Sequence, residues 1–352
     1  MALPQEIGYC RGADGVRLAV ARMGSGPPVL MAGAWLSHLE RDLQNPALAH
    51  WVHALVRGRT LVRYDARGNG LSQRDVQRVD FDSWVEDLEA VVDWAGLERF
   101  ALFGLSQGAA VAVAYAARHP ARVSHLALHG PCVHGLLRRN PPEKVVAAAQ
   151  AMLDAARAGW GVGSSSFRKM FLHGLVREAG DEQLRAMDEV QRHTVSADVA
   201  VRFLEAAYQI DVSADAPQVR CPTLITHSEN DPCFPFAEGA RLASLIAGAR
   251  LVPLPSRNHL LMDSEAAWPH ARQALDAFLP SSWSGPGFTL TPRQREVLRL
   301  VAEGRTDKEI ARQLALSPRT VEMHVARILQ TMGCAKRAEA AARATELGLL
   351  TP

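Results

Sequence analysis

The stretch Leu102-Phe103-Gly104-Leu105-Ser106-Gln107-Gly108-Ala109-Ala110 constrains this chain more than any other. An apolar run of strand character enters a Gly-x-Ser-x-Gly turn and leaves as an alanine-rich helix pattern. That order predicts a nucleophile elbow, a turn so sharp that the serine backbone is strained and its Oγ stands clear of the sheet. Gly104 and Gly108 suit the turn because side chains there would collide where strand and helix come close. The five-residue match is common by chance; the strand before it and the helix after it are what make it informative.

Strand and helix patterns alternate around this turn. A hairpin is expected from Ile7–Arg11 and Val16–Met23 about an Asp14-Gly15 turn, followed by strands at 29–32 and 61–64. Further strands are expected at 123–128, 223–226 and 251–254, and helices at 37–56 and around Trp84, Leu88, Val91, Val92 and Ala95. Such alternation predicts a doubly wound, mostly parallel α/β sheet. At 352 residues the chain is long for one core, so two domains are expected. Apolar content of 48% with 22% charged residues excludes a disordered or fibrous chain, and no apolar run is long enough for a bilayer.

The loop Asp65-Ala66-Arg67-Gly68-Asn69-Gly70-Leu71-Ser72, the elbow and two later loops carrying Asp and His resemble an α/β-hydrolase over about residues 7–280. Between Gly130 and about Pro217 the strand rhythm stops, where this fold accepts a helical cap, here expected over about 131–217. A serine nucleophile needs a base, and the base a carboxylate to fix its tautomer. The family order of serine, acid and histidine implies Ser106, Asp231 and His259, with Glu229 as the rival acid. The oxyanion hole would use the N–H groups of Gln107 and Ala34; this chain has Ala32-Gly33-Ala34-Trp35 where many members carry His-Gly. Trp35, His38 and Cys132 are candidates to border the pocket. Trp160, Phe167, Phe171, Phe203 and Tyr208 either line it or hold the cap helices together.

Residues 280–287 (PSSWSGPG) have little helix or strand propensity, and a linker is expected at 281–287. Beyond it the charge changes sign: 288–352 holds 11 Lys and Arg against 7 Asp and Glu, whereas the rest holds 28 against 30. A basic tail on a mildly acidic body suits a polyanionic partner. Two capping boxes, at Thr291 and Thr306, and a third start at Ser317 predict short helices, stopped at Gly304 and Gly333, with a last one over 337–347 before Gly348. A short helix, a tight turn at 315–317 and a longer helix with a polar face form a helix-turn-helix. The text LTPRQREVLRLVAEGRTDKEIARQLALSPRTVEMHVARILQTMG resembles the LuxR-type DNA-binding domain, here 288–352. The resemblance implies Arg319, Thr320 and Arg327 on phosphates and Glu322, Met323 and Ala326 facing base edges of double-stranded DNA. The family often has Lys where this chain has Glu322 and again near Thr331, so a homodimer on a two-fold site is expected to make up the attraction.

Together these features suggest a one-component transcription regulator in which a hydrolase-like domain (1–280) binds a small-molecule effector and the tail binds DNA and works with RNA polymerase. The alternative is a working esterase, lactonase or amidase tethered to DNA. A phosphorylation-driven response regulator fits poorly, because the first domain is too long for a receiver. Five scattered cysteines and a start without a signal-peptide pattern suggest the cytoplasm. No metal or cofactor is expected.

Overall fold

A computed structural model describes residues 4–163, 166–281, 290–332, 334 and 336–346. Most of the expected linker (282–287), Gly333 and Gly348 lie outside the described residues. The chain divides into two compact units, Met1–Ser281 and Ser282–Pro352. No helix among the described residues is long and apolar enough to cross a membrane.

In the first unit β1 (Gln5–Arg11) and β2 (Arg17–Gly24) form the expected hairpin, with Gly15 at φ +83° in its turn. β3 (Pro28–Met31), β4 (Thr60–Tyr64), β5 (Phe100–Leu105), β6 (Val123–His129), β7 (Thr223–Ser228) and β8 (Arg250–Leu254) complete an eight-stranded sheet. Its order is β1-β2-β4-β3-β5-β6-β7-β8; the pairs from β4 to β8 are parallel, and only β1–β2 and β2–β4 are antiparallel.

β5 explains why the sheet is covered on both faces. Phe100 and Leu102 pack in one apolar cluster, while Ala101, Phe103 and Leu105 pack in another. Alternate side chains point to opposite faces, so a strand apolar at every position needs helices on both sides. α2 (Phe81–Trp94) and α3 (Gln107–Arg118) supply the first cluster, and α1 (Ala49–Val56) and α9 (Trp268–Phe278) the second. Four helices interrupt the strands after β6: α4 (Glu143–Gly159), α5 (Ser166–Leu175), α6 (Asp181–Thr194) and α7 (Ala197–Tyr208). α8 (Phe236–Leu245) then joins β7 to β8.

One element differs from expectation. A helix over 37–56 is predicted, yet α1 starts only at Ala49. Pro46 lacks an N–H and disfavours helical geometry at Asn45. The segment before it is a series of turns, such as Gln44 N to Arg41 O at 3.0 Å, to which side chains add: Asp42 Oδ2 accepts from His38 N at 3.1 Å and Asn45 Oδ1 from Ala47 N at 3.0 Å.

In the second unit the described residues form α10 (Pro292–Ala302), α11 (Asp307–Leu314), α12 (Pro318–Met332) and α13 (Arg337–Glu346). Both predicted capping boxes are present, Thr291 with Gln294 and Thr306 with Glu309. Ala315, at φ +53°, turns the chain between α11 and α12, and Ser317 Oγ accepts from Thr320 N at 3.1 Å to start α12. Val297, Leu298, Ile310, Val321 and Ile328 make a core of this unit's own.

Candidate active site and DNA-binding surface

The elbow is built from local crowding. A Cβ on Gly104 would lie 2.5 Å from Ala109 Cα and 2.9 Å from Gly108 O; one on Gly108 would lie 3.0 Å from Gly33 O. Ser106 sits at φ 56°, ψ −127°, a conformation that costs on the order of 1–3 kcal/mol unless its surroundings impose it. Its N–H is held by His129 O at 2.9 Å. Gly104→Ala is expected to destabilise the chain by about 1–3 kcal/mol, because the contacts are backbone on both sides and cannot swing away. A urea midpoint equal to wild type would mean that strand and helix can spread.

Ser106, Asp231 and His259 stand at the carboxyl ends of β5, β7 and β8, where ligands of open α/β sheets bind. Ser106 Oγ donates to His259 Nε2 at 2.7 Å, and His259 Nδ1 donates to Asp231 Oδ2 at 2.7 Å, with the ring nitrogens assigned from these partners. Asp231 Oδ1 accepts from Cys233 N (2.7 Å) and Phe234 N (2.9 Å). Burial alone would push the Asp231 carboxyl up. The charge of His259 and hydrogen bonds from His227, His259 and Phe234 outweigh it and hold the group well below the usual carboxylate range. Glu229, the rival acid, is exposed. The histidine loop is anchored by His259 N to Leu175 O (2.8 Å) and by Asn258 Nδ2 to Glu265 Oε1 (2.8 Å).

Two further histidines lie beside this relay. His227 is fully buried, donates to Phe234 O at 2.9 Å and lies 3.5 Å from Asp231 Oδ2, so it helps fix the carboxylate. His129 is buried against Thr226 Oγ1 at 2.9 Å, and burial followed by repulsion from His259 pushes its pKa down to about 3, so it is neutral. Asp231, Cys233 and His259 offer ligand atoms within 4.8 Å of one another, a spacing that can hold a metal ion. Here Asp231 and His259 bond each other, and the Cys233 thiol, raised by burial, donates to Gly174 O at 3.1 Å.

Ser106 and His259 open into a cavity of about 70 Å³ also lined by Gly33, Ala34 and Trp35. Among the described residues the N–H groups of Ala34 and Gln107 have no hydrogen-bond acceptor, as an oxyanion hole requires. Trp35 lines the cavity; His38 and Cys132 do not. His38 is turned into its own loop, with Nδ1 3.5 Å from Arg41 N, and burial pushes the Cys132 thiol up to about 12. Of the aromatic residues in the helices after β6, Trp160, Phe171 and Phe203 pack on Trp35 at 5.6–5.8 Å between ring centroids, behind the cavity rather than in its lining.

Sequence reasoning missed Arg63, Asp42 and Gln191, all buried and all lining the cavity. Arg63 carried a readable signal: a cation inside the apolar run Leu61-Val62-Arg63-Tyr64 has to find a buried partner. The Asp65–Ser72 loop is structural. Arg67, fully buried, bonds both Asp87 oxygens at 2.7 Å and Asp14 at 2.7 Å, and Ser72 Oγ donates to Asp65 O at 2.7 Å.

On α12, Val321 and Ile328 are buried and Val325 and Leu329 partly so, while the side chains of Gln330 and Met332 lie outside the described residues. Arg319, Glu322, Met323, Ala326 and Arg327 are exposed along the same helix, and Thr320 is half-buried.

The family described as "alpha/beta hydrolase fold" matches residues 27–266, and "Bacterial regulatory proteins, luxR family" matches residues 288–344. The chain therefore belongs to the alpha/beta hydrolase fold family and carries a luxR-type helix-turn-helix domain behind it. It is similar to the AB hydrolase superfamily protein YisY of Bacillus subtilis, 27% identical over 71% of this chain and 91% of that protein. A non-heme haloperoxidase of Rhodococcus erythropolis is likewise 27% identical, over 71% of this chain and 92% of that protein. Among solved structures, an esterase from Exiguobacterium antarcticum shares the fold at a TM-score of 0.64 and 22% identity, over 77% of this chain and 98% of its own.

Proposed function

We propose that this protein is a ligand-responsive, DNA-binding transcription regulator whose hydrolase unit binds a small molecule at Ser106 and hydrolyses or covalently captures it. The observation that carries this reading is a complete Ser106–His259–Asp231 hydrogen-bond relay in a chain that also bears a luxR-type domain. In this reading Ser106 Oγ attacks a carbonyl carbon while His259 Nε2 takes its proton. Asp231 keeps the imidazole in the tautomer that can do so and stabilises the imidazolium. The N–H groups of Gln107 and Ala34 receive the developing oxyanion. His259 then returns the proton to the leaving oxygen or nitrogen, and water releases the acyl group by the same steps.

In the tail, Arg319, Thr320 and Arg327 hold phosphates while Glu322, Met323 and Ala326 meet base edges in the major groove. Glu accepts from a cytosine amino group and Met packs on a thymine methyl. Because α12 offers few cations, two copies act on one two-fold site, beside RNA polymerase in the cytoplasm. Residues 1–280, with a helical cap at about 131–217, form the sensor, and 281–287 link it to 288–352.

The test couples the two units. Duplexes are selected from a random pool with the full chain, and affinity is read by fluorescence anisotropy at fixed salt before and after Ser106 is phosphonylated. Occupying the site is expected to change DNA affinity by at least about fivefold, the low end of allosteric couplings. Equal affinity, with labelling proven by intact mass, would sink the regulator reading and favour a hydrolase tethered to DNA.

A further inference from the structure

The cavity beside Ser106 holds more polar chemistry than the relay uses. Arg63, Asp42 and Gln191 line it, at 3%, 5% and 4% exposure. Each keeps one buried polar atom without a protein partner: Arg63 Nε, Asp42 Oδ1 and Gln191 Oε1. Half-buried Trp35, also in the lining, adds a fourth at Nε1. A buried polar atom left unpaired is costly, so such atoms normally meet a partner. Two of these are donors and two are acceptors, and they come from separate elements: the loop after β3, β4 and α6. Four residues with unpaired polar atoms of both kinds border one cavity, a lining suited to a group that both donates and accepts.

Charge narrows the class. Arg63 Nη1 and Asp42 Oδ2 are 3.2 Å apart, so the cation is already neutralised within the lining. A ligand carboxylate would find no free positive charge there and would face the open Asp42 oxygen. An ammonium would meet Arg63. Leu172, Leu175, Met187 and Val190 give the lining an apolar side, while Ser37, Asn45 and Tyr64 add neutral polar groups and no further charge.

We propose that the acyl part of the ligand carries a neutral hydrogen-bonding group such as a hydroxyl or carboxamide, in place of a bare alkyl chain or a carboxylate. This rests on the reading of Ser106 as the ligand-binding nucleophile. Arg63, Asp42 and Gln191 are then specificity residues. They orient the acyl group, and they reject its unsubstituted analogue because their own polar atoms would stay unpaired.

The probes are the p-nitrophenyl esters of butyrate, 3-hydroxybutyrate and succinate, assayed on the full chain. Ser106 Oγ displaces p-nitrophenolate and water releases the acid. The 3-hydroxybutyrate ester is expected to exceed both others in kcat/KM by about tenfold or more. Gln191→Leu is expected to lower the ratio of hydroxybutyrate to butyrate, and Asp42→Asn to lower the same ratio if Gln191→Leu fails to fold. Equal or faster turnover of butyrate overturns the polar subsite, and preference for succinate overturns its neutrality. If no ester turns over, thermal shift of Ser106→Ala with the same three esters decides. A larger shift with hydroxybutyrate upholds the proposal, and equal or absent shifts overturn it. Failure of a fluorophosphonate to label Ser106 counts against the functional reading itself. Labelling without acyl selectivity removes only this inference.

Discussion

Asp231→Asn is expected to slow fluorophosphonate labelling of Ser106 by about 10⁴-fold, with the chain still folded. The substitution nearly preserves shape, and the side-chain oxygen still accepts from Cys233 N and Phe234 N, at 2.7 and 2.9 Å in the wild type. What changes is the group facing His259. A carboxylate at 2.7 Å requires Nδ1 to carry the proton and leaves Nε2 free to accept from Ser106. An amide nitrogen in that place donates instead, turns the imidazole to the other tautomer and makes Nε2 a donor, so the serine keeps its proton. The low pKa of Asp231 also means that the wild-type carboxylate stays ionised through the ordinary assay range, so wild-type labelling should show no loss from its protonation there. Ser106→Ala is the zero of the assay, and Glu229→Gln, at an exposed side chain, is expected to change the rate less than about twofold. Labelling of Asp231→Asn within tenfold of wild type would show that Ser106 is not activated through this relay.

How much of that site was legible depends on how local its causes are. Gly104, Ser106 and Gly108 lie in five consecutive residues, and the crowding that demands the glycines is the meeting of strand and helix on either side. β7 and β8 were visible as short apolar runs, so the acid and base loops after them were visible too. The 2.7 Å contacts were not, since they join Ser106 and His259 across 153 positions. The same limit hid Asp87 as the partner of Arg67, Asp42 as the partner of Arg63, and Gln191, which reaches the cavity from α6. Periodicity reports which face of an element is apolar; it carries no information on which buried charges meet. The overlong helix predicted over 37–56 has a different cause. Its spacing is helical, but Pro46 and the side-chain acceptors Asp42 and Asn45 offer the backbone another set of bonds, and those win until Ala49.

Val321→Asp is expected to abolish DNA binding by the full chain while leaving fluorophosphonate labelling of Ser106 within about twofold of wild type. Val321 is fully buried in α12, packed in the cluster with Val297, Leu298, Ile310 and Ile328. A carboxylate placed there loses its hydration without gaining a partner, a cost of several kcal/mol. A core of this size supplies only about 3–5 kcal/mol of stability, so one such change consumes most of it. The first unit has its own apolar clusters around β5, built among the described residues from that unit's own side chains, so the relay is expected to stay in place. Glu322→Gln serves as the control: Glu322, next to Val321 on α12, is exposed, and its substitution is expected to keep the fold and alter only the sequence preference. Anisotropy with a selected duplex reads the first effect and intact mass after labelling reads the second. Retained DNA affinity in Val321→Asp would remove α12 from the binding element, and loss of labelling together with DNA binding would mean that the two units do not fold independently.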